Sequence, residues 1–143
     1  MTVKVDVQPG CQGIEVIVRC PSDGPDVRRI VAAVEALDDT LTGVKDGATH
    51  VIEWRDVLYC ESVDKRTFIY TANDVYETAE RLYEIEDRFG FARISRSQVV
   101  NIRQIEALRP EFARRLELVM ANDEKLIVNR FYAKTLKERL GLK

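Results

Sequence analysis

Two stretches of this chain gather cations and small hydrogen-bonding side chains at places where secondary structure should change. The first is Phe91-Ala92-Arg93-Ile94-Ser95-Arg96-Ser97-Gln98-Val99-Val100-Asn101, a strand-like run interrupted by Ser95-Arg96-Ser97 before it resumes. The second is Val128-Asn129-Arg130-Phe131-Tyr132, where an apolar strand ends in an amide and a cation and turns into a helix, with Lys134 one turn further on. A guanidinium at such a break can bridge a phosphate or grip guanine with two hydrogen bonds, while neighbouring hydroxyls and amides hold the backbone in register. Free N–H groups in the first turn of a helix favour an anion in the same way. A third cationic segment, Lys65-Arg66-Thr67, falls at the tip of an expected hairpin. Taken singly, each segment is also what a polar turn, a capped helix or a charged loop looks like. Together they describe three exposed tips along one edge.

The charge distribution gives that reading a reason. The chain of 143 residues has a net charge of −2, which by itself says nothing about nucleic acid. Residues 1–90 hold 10 Lys/Arg against 18 Asp/Glu, a net of −8, whereas residues 91–143 hold 12 against 6, a net of +6. An asymmetry of this kind points to an electrostatic partner for the basic part. With 45% apolar and 32% charged residues the chain can bury a core. It has no apolar run of the length that crosses a bilayer, and its start lacks the apolar stretch of a signal peptide. Cys11, Cys20 and Cys60 are an odd number without C-x-x-C spacing, as expected of reduced thiols in a cytoplasmic protein. The single histidine, His50, has no nucleophile or acid beside it, and with the three cysteines it lacks the spacing of a zinc site. Neither a P-loop nor G-x-G-x-x-G is present. The expectation is therefore a non-enzyme without metal or cofactor.

Periodicity supplies the elements that must position the tips. Val3–Val7 and residues 14–19 alternate with period two around Pro9-Gly10 and Gly13, which reads as a hairpin. Pro25 opens a helix to about Asp38, with Val27, Ile30, Val31, Val34 and Leu37 on one stripe. Residues 39–47 read as a connecting strand and turn. From Thr49 the chain breaks into short β-branched and aromatic strands: 49–53, 57–63, 66–71, 75–78, 91–94, 98–101, 105–109, 115–120 and 125–128. A short helix over 79–88 buries Leu82, Tyr83 and Ile85 in this reading. Asn129 caps a final helix that buries Tyr132, Leu136 and Leu140 and stops at Gly141.

From about Gly47 to Gly141 the sequence resembles the LytTR family of bacterial DNA-binding domains. Three ordered blocks carry the resemblance: Asp56-Val57-Leu58-Tyr59-Cys60-Glu61-Ser62, the Phe91–Asn101 run followed by Ile105, and Leu126-Ile127-Val128-Asn129-Arg130-Phe131-Tyr132. The resemblance implies elongated antiparallel β-sheets with short helices, whose loops enter successive major grooves of promoter DNA. Carried over residue by residue, it implies DNA contacts at Lys65, Arg66, Thr67, Ser95, Arg96, Ser97, Asn129, Arg130 and Phe131, with Lys134 as a further cation. Ser95, Asn129 and Phe131 stand where the family commonly has histidine, serine and a second basic residue. The last departure shifts the charge to Arg130 or Lys134.

The expected architecture is thus mainly β with α, a small ββα appendage over residues 1–45 preceding a LytTR-like domain over 46–143. Residues 1–45 are too short for the receiver domain that precedes the module in many family members, so the chain resembles the stand-alone regulators. The appendage is expected to serve dimerisation or regulatory docking. Double-stranded promoter DNA, a second copy of the chain and a membrane-protein inhibitor encoded nearby are the partners the resemblance implies. The competing reading is a protein-interaction module that does not bind DNA, its basic part merely balancing an acidic N-terminal region.

Overall fold

The computed structural model describes residues 1–142. Ten strands form two antiparallel sheets. β1 (Thr40–Lys45), β2 (Ala48–Glu53), β3 (Val57–Val63), β4 (Arg66–Thr71), β5 (Val75–Thr78), β6 (Phe91–Ser95) and β7 (Gln98–Asn101) make a seven-stranded sheet in the order β2-β1-β5-β4-β3-β7-β6. β8 (Ile105–Pro110), β9 (Leu116–Met120) and β10 (Lys125–Val128) make a three-stranded sheet in the order β10-β9-β8. Three helices complete the chain: α1 (Pro25–Glu35), α2 (Leu82–Glu86) and α3 (Arg130–Arg139).

The centre of the larger sheet is covered on both faces, which is why β3, β6 and β7 read as nearly continuous apolar runs rather than alternating ones. On one face Leu58, Tyr59, Ala92, Ile94 and Val100 pack against Leu116, Leu118 and Met120 of the smaller sheet and against Ala133 and Leu136 of α3. On the other, Val57, Cys60, Ile69, Phe91 and Val99 pack against Trp54 and against Leu82 and Ile85 of α2. Phe91, Ile94 and Leu118 are completely buried, each worth about 1.5–3 kcal/mol of apolar transfer. The two cores meet only through the backbone of these strands, so strand pairing holds the layers in register. Cys60 lies in the second core, where burial pushes its thiol up to about 12; Cys11 and Cys20 are exposed.

One polar side chain is built into this interior. Asn101, fully buried at the end of β7, donates from Nδ2 to the carbonyls of Trp54 (3.0 Å) and Val57 (2.8 Å). Its Oδ1 accepts from the Arg103 N–H at 3.1 Å. The three segments it joins are the turn before β3, the start of β3 and the turn leading into β8. Gly90 makes the close packing beside it possible. It has φ +85°, and a Cβ there would lie 3.2 Å from the Trp54 ring.

Several expectations are corrected by the structure. Residues 1–24 contain no strand, so the hairpin over Val3–Val7 and 14–19 is not formed and the ββα appendage reduces to its helix. Val3, Val5, Val7 and Ile14 are all strongly exposed. Alternation makes an apolar face but not a partner for it, and an isolated two-stranded ribbon is only marginally stable. α1 begins at Pro25 as expected but ends at Glu35, passing into a 3₁₀ turn over Ala36–Asp38. Its stripe is half-covered, with Val31 and Leu37 exposed. β1 pairs with both β2 and β5, and so belongs to the main sheet rather than to a connection. α2 is shorter than expected because the Glu84 carboxylate accepts from the Arg81 N–H at 3.0 Å and sets the helix start there. Tyr83 consequently faces solvent.

Replacing Asn101 with Leu removes both donors from buried carbonyls while keeping volume. The expected result is a loss of about 2–4 kcal/mol in urea unfolding with an unchanged denaturant slope. A loss below about 0.5 kcal/mol would show that the carbonyls find other partners.

Candidate nucleic-acid interface

Strand direction brings the sequence-predicted segments to one end of the molecule. β3 and β4 are joined by Asp64-Lys65, both left-handed (φ 50° and 65°), in a two-residue hairpin turn of the kind that matches strand twist. β6 and β7 are joined by Arg96-Ser97. Glu61 pairs with Gln98, and the Ser62 N–H donates to the Ser97 carbonyl at 2.8 Å, so the two turns lie side by side. The Asn129 N–H donates to the Ile94 carbonyl at 2.8 Å, which fastens the β10–α3 junction to the end of β6. The three tips are therefore linked by backbone hydrogen bonds.

The side chains at these tips divide into free and committed groups. Arg96 is exposed, and its backbone is fixed from behind: Arg93 Nη1 donates to the Arg96 carbonyl at 2.8 Å, while Arg93 Nε is held by Glu86 at 3.1 Å. Ser95 Oγ accepts from the Ser97 N–H at 3.2 Å, tightening the same turn. Asn129 Oδ1 accepts from the Phe131 N–H at 3.0 Å, capping α3. Arg130 lies over the Phe131 ring, 5.0 Å from its centroid, and both are exposed. Lys65 and Lys134 are exposed.

Arg66 and Thr67 stand differently. Arg66 makes a two-pronged ion pair with Glu77 (2.8 and 2.6 Å) and stacks over Phe68. The pair holds the Glu77 carboxyl below its usual range and the Arg66 guanidinium above its own, in each case chiefly through the shared hydrogen bond. Thr67 is buried, because it points into the sheet between Ser62 and Thr78, so it has no place on the exposed edge. The sequence reading missed Arg93, whose signal is an Arg-x-x-Arg spacing from the end of a strand into its turn. A concavity away from these tips is lined by Asp56, Asp74 and Asn122, with Asp74 ion-paired to Lys45.

A fold of two antiparallel sheets presenting cationic turns and a capped helix start at one end defines a class of recognition domain. The family model described as the LytTr DNA-binding domain matches residues 47–141. The chain belongs to the LytTR family. An uncharacterized HTH-type transcriptional regulator of Staphylococcus aureus strain COL is 32% identical over 129 residues, covering 87% of this chain and 88% of that protein. Its counterpart in strain MRSA252 is 31% identical over the same length. Among solved structures, the LytTr DNA-binding domain of a Bacillus cereus protein described as a methyl-accepting/DNA response regulator superposes with a TM-score of 0.68 at 26% identity. That match covers 73% of this chain and 99% of the other. The expectation of a LytTR-like, mainly antiparallel β fold with short helices is borne out, and the chain carries a DNA-binding domain.

The cap at Asn129 is separable from any ligand contact. Asn129→Ala should lower stability by about 1 kcal/mol, with Asn129→Ser recovering most of it. Urea unfolding without DNA reads this directly, and an Ala variant as stable as the parent would exclude the cap as a structural element.

Proposed function

We propose that this protein is a sequence-specific transcriptional regulator that sets its cationic tips into the major groove of promoter DNA. The observation that carries the reading is the coupling of the Arg96 turn, the Lys65 turn and the Asn129-Arg130 junction through backbone hydrogen bonds at one end. Arg96 reads a base edge, since its backbone is held from behind and its guanidinium is unpaired among the described residues. Lys65, Arg130 and Lys134 neutralise phosphates. Ser95, Ser97 and Asn129 shape the turns, and Phe131 shields Arg130 from water. Arg66 acts through its ion pair as a support for the Lys65 tip.

The test is a mobility-shift titration with duplexes selected by the intact protein from a random-sequence pool. About six phosphate contacts weaken binding roughly 10³-fold between 50 and 200 mM salt. Arg96→Ala should cost about 1–3 kcal/mol and relax preference at one base pair, whereas Arg130→Ala should weaken all sequences alike. Unchanged binding by both single variants and the double variant would remove this end of the molecule as the DNA-reading surface. A protein that selects no duplex would favour the protein-interaction reading.

Residues 1–45 we assign to self-association. The support is the exposed alternating apolar row Val3, Val5, Val7, which has the period of a strand and no partner within the described residues. Sedimentation velocity of the full chain should show a dimer that dissociates in the variant carrying V3S, V5S and V7S. A monomeric parent, or a variant that stays dimeric, would reject this assignment.

A further inference from the structure

The connection between β8 and β9, residues 111–115, is a tight hairpin loop. Ala113 (φ 60°, ψ 38°) and Arg114 (φ 64°) are consecutive left-handed residues, and neither is glycine. The Arg115 N–H donates to the Phe112 carbonyl at 3.4 Å, so the pair forms the same kind of two-residue left-handed turn as Asp64-Lys65. The loop is closed by the Glu111 N–H donating to the Arg115 carbonyl at 2.8 Å. Arg115 adds a second clamp, its Nε donating to the Phe112 carbonyl at 3.1 Å. This scaffold holds Phe112 outward at 81% exposure, next to an exposed Arg114. Arg109, the cation on the flanking strand, is neutralised by Glu117 at 2.9 and 2.5 Å. Arg114 has no such partner among the described residues.

Register locates the loop. Pro110 pairs with Leu116, and Leu116 with Val128, so the three strand ends are level with one another. The 111–115 loop therefore emerges at the end where Asn129 leads into α3, and it comes close to that helix. An exposed aromatic ring beside an unpaired guanidinium, on a loop closed by its own hydrogen bonds, suits an anionic partner with apolar edges. Duplex DNA offers both, in its phosphates and in its deoxyribose and thymine-methyl surfaces.

We propose that residues 111–115 form a fourth contact with the duplex, Arg114 taking a backbone phosphate and Phe112 packing on apolar sugar or thymine-methyl surface. The contact rests on the DNA-binding reading above and extends the interface from the larger sheet onto the smaller one. It places an added phosphate contact outside the three tips assigned from sequence.

The experiment uses the intact protein and the duplex it selects from a random pool, with R96A as a comparison. R114A should bind several-fold more weakly to the selected and to scrambled duplexes alike, with a salt slope shallower by about one unit. R114K should bind nearly as the parent does, and F112S should also lose several-fold. Ethylation interference adds a direct readout: one phosphate whose modification blocks the parent should become silent in R114A. Urea midpoints of R114A and F112S matching the parent's keep folding out of the result. If R114A and F112S bind like the parent while R96A is impaired, the fourth contact is overturned and the DNA-reading surface stands. If the parent binds no duplex, both fall together.

Discussion

The buried carboxamide of Asn101 is the constraint on which the rest of the structure depends. Three stretches of backbone converge at the end of β7, and one side chain joins them with two donated hydrogen bonds and one accepted. An unpaired carbonyl in that interior would cost about 1–3 kcal/mol, so the carboxamide must be present and correctly turned. Its position fixes where β3 begins and where the chain leaves the large sheet for the small one. It sits at one end of β7, and the Arg96-Ser97 turn sits at the other. The strand between them is four residues long, so anchoring one end anchors the turn.

Much of this was readable in the sequence because it depends on local chemistry. The bounds expected for β3, β4, β5, β7 and β10 are those observed, since each is a dense β-branched or aromatic run closed by a turn pair or a cap. The failures have a common physical cause. Alternation over Val3–Val7 marks a strand face, but a strand exists only if something pairs with it. Tyr83 and Val31 belong to apolar patterns by sequence, yet each falls where its helix stays exposed. Thr67 shows the converse error: it belongs to a cationic tripeptide by sequence, yet the pleat turns it inward while its neighbours face out. The partners of Arg66 and Arg93 could not be read, because Glu77 becomes a neighbour only once β4 and β5 pair, and Glu86 only once α2 packs beside β6.

Those partners decide which cations remain available. The molecule holds many guanidiniums, and several are already bound: Arg66 by Glu77, Arg88 by Asp39 and Glu80, Arg93 by Glu86, Arg109 by Glu117. The exposed pairs of Arg66 and Arg109 add little stability, about 0–1 kcal/mol each. Their larger effect is on orientation, holding side chains out of competition with the free ones. A net charge of −2 is thus compatible with unpaired Arg and Lys at the tips, because many of the carboxylates neutralise other cations.

How the free cations are mounted matters as much as their number. Ordering a lysine or arginine costs up to about 2 kcal/mol of rotamer entropy, and a mobile loop beneath it adds backbone entropy. Here the backbone portion is met in advance. Arg93 holds the Arg96 peptide, the Asn129 N–H ties the α3 start to β6, and the left-handed Asp64-Lys65 turn is closed by strand pairing. Only the outer side-chain bonds remain to be ordered on contact. A braced Arg96, whose planar fork demands a set direction, is therefore suited to discriminate among base edges. Lys65, a flexible point charge on an equally rigid turn, is suited to follow a phosphate wherever the groove places it. In the proposed complex, rigid turns with different side chains divide the two tasks.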